Sequence, residues 1–239
     1  VALLEGHNVS KSFGGVQALS RVDFVVERGT IVGLIGPNGA GKTTLFNAVA
    51  GAFKPTSGKV IFDGADVTGL PANAICRRGM ARTFQVTRPF AAMTCLENVM
   101  VAAINRHPIK PRSFIETFAH EKLSFVGLDE LGGVEARHLN VIQKKRLEMA
   151  RALATEPKLL MLDEVLGGLN TQEIGQAVEF IRSLRDRLGL TVLWIEHVMG
   201  AVMKAAERVI VLDQGQILMA GTPAEVVADQ RVIHAYLGE

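Results

Sequence analysis

Apolar residues gather along the chain in short β-branched runs that close on a glycine or a polar residue: TIVGLIG (Thr30 to Gly36), KLLMLDE (Lys158 to Glu164), TVLWIEH (Thr191 to His197) and RVIVLDQG (Arg208 to Gly215). Each is strand length. The middle two are continuously apolar, the pattern of a parallel strand covered on both faces. Helical periodicity fills the spaces between them. KTTLFNAVAG follows the first run and closes on a glycine, and IQKKRLEMARALAT leads into KLLMLDE. Alternating strands and helices predict an α/β fold. DFVVERG and KVIFDG, separated by turns, predict an antiparallel β layer beside the main sheet.

The stretch from about Val86 to Leu139 breaks this rhythm. It joins RPFAAMTCLENVMVAAI to the Pro- and Arg-bearing NRHPIKPRS and then to another amphipathic helical pattern. This predicts an inserted helical subdomain over about 86–154, with the core lobe formed by residues 1–85 and about 155–239. No internal repeat or low-complexity segment interrupts the plan.

At 239 residues the chain has room for one large domain carrying such an insert. Although 48% of residues are hydrophobic, no run approaches the roughly 18 uninterrupted apolar residues of a membrane span. The opening VALLEGHNVSKSF lacks the basic and apolar regions of a secretory signal, so a cytosolic location is expected. Cys76 and Cys95 show neither CxxC spacing nor clustered histidines, which argues against a zinc site or a disulfide framework. The net charge of +2, from 26 basic and 24 acidic residues, lacks the basic excess of a nucleic-acid binder.

The candidate chemistry begins where the first strand ends. Gly36-Pro37-Asn38-Gly39-Ala40-Gly41-Lys42-Thr43 fits G-x-x-x-x-G-K-[ST], followed by Thr44, and lies between a strand and a helix as the mechanism of that motif requires. Glycines let backbone N–H groups close around phosphates, and the helix N-terminus favours negative charge. Lys42 is expected to reach the β- and γ-phosphates of a nucleotide, and Thr43 to ligate magnesium. A glycine-rich turn with a chance lysine is the bland alternative, which the strand-helix context disfavours.

An ATPase also needs a carboxylate for the magnesium shell and a group to orient water. Asp163 and Glu164 end one strand together. Asp163 is expected to contact the metal through its water shell, and Glu164 to polarise the attacking water. Alone, such a pair is more often a solvated strand terminus; a phosphate loop in the same chain reverses that weighting. His197 closes the next strand, where it can sense the γ-phosphate and hold Glu164. Gln85, in RTFQ, stands where a linker can report metal and phosphate to the insert. Both claims rest on position in the chain. Phe13 is a candidate to stack on adenine, although a loop aromatic is as often a local core plug.

The order GPNGAGKT, RTFQ, LNVIQKKRLEMARAL, LLMLDE, GGLN and IEHVM resembles the ABC ATPase family over almost the whole chain. KSFGGVQAL, PTSGKVIFDGADVTGLP, MTCLENVMVA and the ending AGTPAEVVADQRVIHAYLG are similar, more narrowly, to the ATP-binding subunits of branched-chain amino acid importers. The resemblance implies a P-loop NTPase fold of ABC type, ATP with Mg2+, and a head-to-tail dimer of ATPase subunits. It further implies two permease subunits, an external substrate-binding protein, and a peripheral position on the inner face of the cell membrane. In such dimers each ATP lies between one subunit's phosphate loop and the other's signature segment.

That signature is LSGGQ-like in the family, whereas here it is Leu139-Asn140-Val141-Ile142-Gln143. Asn140 can still cap the following helix. Ile142 replaces a residue that close approach of backbone to phosphate favours as glycine. A weakened contact from Asn140, Val141, Ile142 and Gln143 to the partner's ATP is therefore expected, along with pairing to a different ATPase chain; a homodimer remains open. Val198 replaces the acid that commonly follows the switch histidine. Three other readings compete: a nucleotide-dependent binding module without appreciable hydrolysis, a soluble ABC protein of DNA repair or translation, and the ATPase of a lipid or lipopolysaccharide transporter. Glu164 speaks against the first, and the short insert and single ATPase unit against the second.

Overall fold

The computed structural model describes residues 1–237. The chain forms two compact units, one made of residues 1–75 and 161 onward and the other of residues 76–160. The insert expected over 86–154 falls inside the second.

The first unit opens with a long hairpin, β1 (Ala2–Phe13) and β2 (Val16–Glu27), paired antiparallel through a turn at Gly14. In β2, Val22, Phe24 and Val26 are buried at every second position, as expected for a strand with one covered face. β3 (Ile31–Ile35) is buried throughout and feeds α1 (Lys42–Val49). β4 (Ser57–Phe62) and β5 (Ala65–Asp66) complete the antiparallel sheet in the order β2-β1-β4-β5. The two runs read as this layer, DFVVERG and KVIFDG, become β2 and β4; β1 lies between them.

The short helix α2 (Ala72–Arg77) leads into the second unit, which begins with β6 (Met80–Arg82). Its body is three helices, α3 (Cys95–Arg106), α4 (Arg112–Phe125) and α5 (Val141–Leu153), packed around Cys95, Val99, Ala119, Leu123 and Leu147. The buried Asn98 side chain secures the approach to α3: it accepts from the Phe90 N–H at 2.8 Å and donates to the carbonyls of Phe90 and Thr94.

β7 (Leu159–Asp163) carries the chain back to the first unit. There α6 (Thr171–Leu188), β8 (Thr191–Ile195), α7 (Met199–Ala205), β9 (Arg208–Asp213) and β10 (Gln216–Gly221) follow, and α8 (Pro223–Ala228) and α9 (Gln230–Leu237) close the chain. The strand order is β10-β9-β3-β8-β7. β3 pairs in parallel with both β8 and β9, and β10 turns back antiparallel on β9. β3, β7 and β8 are buried at every position. The loops that leave their C-terminal ends carry most of the candidate chemistry, where open α/β sheets usually hold ligands.

Candidate functional site

The loop after β3 is shaped by backbone geometry that side chains would prevent. Gly36 has φ +152°, and a Cβ there would lie 2.0 Å from the carbonyl oxygen of Leu212. Gly41 has φ +102°, and its Cβ would meet the Ala18 carbonyl at 2.7 Å. Both approaches are closed to any residue except glycine. The Ala40 carbonyl accepts from Gly215 N–H at 2.9 Å, which ties the loop to the β9–β10 turn.

Gly41 stands at the N-cap of α1 without a side-chain hydrogen bond, and the first turn of the helix has no acidic residue. The first-turn N–H groups and the positive end of the helix dipole are thus left to an anion. The Lys42 amine is buried and donates to the carbonyls of Gly36 at 2.7 Å and Pro37 at 2.9 Å. Burial lowers its pKa below the usual lysine range, and the charge of Glu164 partly opposes this. Asn38, Gly39 and Thr43 are exposed, and Pro37 and Thr44 half-buried.

Asp163 ends β7 and is buried. Glu164, the next residue, has φ +49°, a left-handed conformation uncommon for a residue with a side chain. Its N–H donates to the Ile195 carbonyl at 3.0 Å, which fastens the turn to the end of β8. His197 leaves that end, and its Nε2 stands 2.6 Å from Oε1 of Glu164. The structure thus brings together the carboxylate and imidazole that the sequence separates by 33 positions. The turns that carry them share a contact with a residue the sequence did not single out. Glu196 is buried, accepting from Leu166 N–H at 2.7 Å and His197 N–H at 3.0 Å.

Phe13 ends β1, half exposed, with its ring edge-on to Phe53 at 5.4 Å between centroids. The Lys11 amine lies 5.0 Å from the Phe13 ring and 4.7 Å from that of Phe53. Lys11 and Phe53 were also outside the sequence-based set. This aromatic platform leaves part of Phe13 open to a planar ligand.

In the second unit Gln85 is exposed in the loop after β6. That loop is anchored beside it, since Phe84 N–H donates to Glu148 Oε1 at 2.6 Å and Arg151 donates to the Arg88 carbonyl at 3.0 Å. Asn140 caps α5: its side chain accepts from Gln143 N–H at 2.9 Å, and Gln143 returns a bond to Asn140 N–H at 3.0 Å. Asn140 and Val141 are exposed, while Ile142 and Gln143 are half-buried. Two members of the segment are therefore engaged in starting the helix. Among the described residues no group of three or more His, Cys, Asp and Glu side chains is placed to hold a metal by itself.

A glycine-shaped loop opening a helix at the end of a central parallel strand is how phosphate-loop nucleotide-binding proteins cradle their ligand, and this fold is of that class. The family described as ABC transporter matches residues 19–167, and that described as Branched-chain amino acid ATP-binding cassette transporter matches residues 216–239. The high-affinity branched-chain amino acid transport ATP-binding protein BraF of Pseudomonas aeruginosa is 41% identical over 251 residues, with 99% of this chain and 98% of that protein covered. The lipopolysaccharide export system ATP-binding protein LptB of Haemophilus influenzae is 34% identical, with 100% of this chain and 98% of that protein covered. Among solved structures, the ADP conformation of MJ1267, an ATP-binding cassette of an ABC transporter, aligns with a TM-score of 0.90 at 31% identity, covering 100% of both chains. The chain belongs to the ABC transporter family, as one of its ATP-binding and ATP-hydrolysing subunits.

Proposed function

We propose that this subunit powers the import of branched-chain amino acids, binding ATP at the loop 36–44 and hydrolysing it with Glu164 and His197. The 2.6 Å contact between His197 Nε2 and Glu164 Oε1, on the same unit as the phosphate loop, carries the hydrolytic part of this reading. Lys42 has one ammonium N–H beyond the two it gives to loop carbonyls, and turns it to the β- and γ-phosphates. Glu164 accepts a hydrogen bond from the attacking water and draws off its proton as the oxygen bonds to the γ-phosphorus and the bond to ADP breaks. His197 fixes the carboxylate and meets the γ-phosphate. Phe13 stacks on the adenine.

Hard oxygen donors without a protein cage suit Mg2+, which usually keeps water and phosphate oxygens beside one or two protein ligands. The Thr43 hydroxyl and Asp163 through water would hold it, and the bound ion would neutralise charge on the phosphates.

The greater identity to BraF than to LptB favours amino acids over lipopolysaccharide as the cargo. Among the described residues no helix is long and apolar enough to cross a membrane; permease subunits would supply the passage, with this chain docked on their inner face. The degenerate segment Asn140 to Gln143 supports a head-to-tail pair with a different ATPase chain, whose intact signature would complete the site built on Lys42. Purification of the tagged chain from its native membrane tests the assignment. Co-purification of amino acid permease subunits is expected; a pair of lipid-extracting membrane subunits in their place would contradict it.

A further inference from the structure

We propose that Glu196 is a positioning residue for hydrolysis, a buried clamp that holds the turn carrying Glu164 and the turn carrying His197 in one register. The inference rests on the roles assigned above to those two residues. Glu164 is held in a left-handed backbone conformation at φ +49°, and such a conformation persists only where the surroundings over-determine it. One restraint lies on its N-terminal side, where the Glu164 N–H donates to the Ile195 carbonyl at 3.0 Å. The other lies two residues on, where the Leu166 N–H donates to Glu196 Oε1 at 2.7 Å. The second carboxylate oxygen, Oε2, accepts from His197 N–H at 3.0 Å, and the N–H of Val198 is a further donor to this carboxylate.

Glu196 is 3% exposed, so these N–H groups have little access to water as a replacement. Glu196 needs no contact with nucleotide to act. Its two oxygens set where the Glu164 carboxylate and the His197 ring begin, and the 2.6 Å contact between those groups follows from that placement.

The test compares Glu196→Gln and Glu196→Ala with wild type and Glu164→Gln, in the subunit paired with its native ATPase partner. ATP affinity, turnover and melting temperature are measured on each. Gln keeps the shape but offers one acceptor oxygen in place of two, so a buried N–H must move away from the new amide. Displacements of this kind, remote from the reacting atoms, cost up to about a hundredfold in rate. Expected for Glu196→Gln, measured where the variant stays folded, is a turnover lower by about tenfold to a hundredfold, with ATP affinity within about twofold of wild type and a melting temperature lowered less than in Glu196→Ala. Expected for Glu196→Ala, which leaves several buried N–H groups unpaired, is a loss of both turnover and melting temperature. Wild-type turnover in Glu196→Gln would overturn the inference, as would a fall that merely follows a lower melting temperature. Equal hydrolysis by Glu164→Gln and wild type would instead overturn the role of Glu164 itself, and the clamp with it.

Discussion

His197 Nε2 and Glu164 Oε1 lie 2.6 Å apart, so the ends of the neighbouring strands β8 and β7 are joined through two side chains able to handle a proton. If the two work as a unit on one water, their effects on rate will not add. Glu164→Gln and His197→Ala are each expected to lower turnover by about 10²- to 10⁴-fold, the range of general acid–base contributions. The double variant is expected to match the worse single one. Steady-state phosphate release at saturating ATP checks this; multiplicative losses would mean that the two act separately.

The phosphate loop makes a separate prediction about binding. Lys42→Ala removes a charged hydrogen-bond donor of about 1.5–3 kcal/mol, so ATP affinity is expected to fall roughly ten- to a hundredfold, measured by titration calorimetry. Gly36→Ala acts on the fold instead: with φ at +152° and the Leu212 carbonyl 2.0 Å from the new Cβ, loop and β9 must part. A lower melting temperature and loss of ATP binding are expected together.

In the signature segment, helix capping and phosphate contact are separable by substitution. Asn140→Ala is expected to cost about 1 kcal/mol of stability through the lost cap on α5, and Asn140→Ser to keep it. Replacing Asn140 by Ser and Ile142 by Gly together is expected to raise hydrolysis by the chain alone about a hundredfold, the scale of about 3 kcal/mol seen when preorganised donors to a transition state are lost. Equal turnover of parent and double variant, at high protein concentration with magnesium, would show that LNVIQ already serves the phosphate.

The carboxyl of Glu196 sets a pH dependence of stability. Burial raises its pKa above the usual carboxylate range, opposed by the N–H groups of Leu166, His197 and Val198 and increased further by the charge of Glu164. The folded protein therefore holds this proton more tightly than the unfolded chain does. Its contribution to stability is greatest below the ordinary glutamate value, falls as pH rises from there through the raised value, and is constant above it. Glu196→Gln is expected to flatten this part of the profile, seen in melting temperatures from weakly acid to neutral pH and followed by the fluorescence of Trp194, the single tryptophan.

The strands β3, β7, β8 and β9 and the loop 36–43 were legible because their information is local. A buried parallel strand announces itself by continuous apolar residues, and a phosphate loop by glycines that backbone geometry requires. Asn140 was legible in the same way, since its residue type predicts the cap that the structure forms. β1 was not. Its apolar residues do not alternate, because register shifts such as that between Gly6 and Val9 break the two-residue period. Glu196, Lys11 and Phe53 were hidden for another reason. A glutamate at a strand end, a lysine and a lone phenylalanine acquire meaning only from partners distant in sequence, Leu166 for the first and Phe13 for the other two. The closeness of Glu164 and His197 depends likewise on β7 and β8 being neighbours, which their order in the sheet decides.

Uptake of labelled leucine by vesicles that contain the purified transporter complex, with ATP and magnesium trapped inside, tests the proposed function most directly. The account predicts ATP-dependent accumulation with the wild-type subunit and only background with Glu164→Gln. Accumulation that needs no ATP, or that Glu164→Gln leaves unchanged, would contradict it.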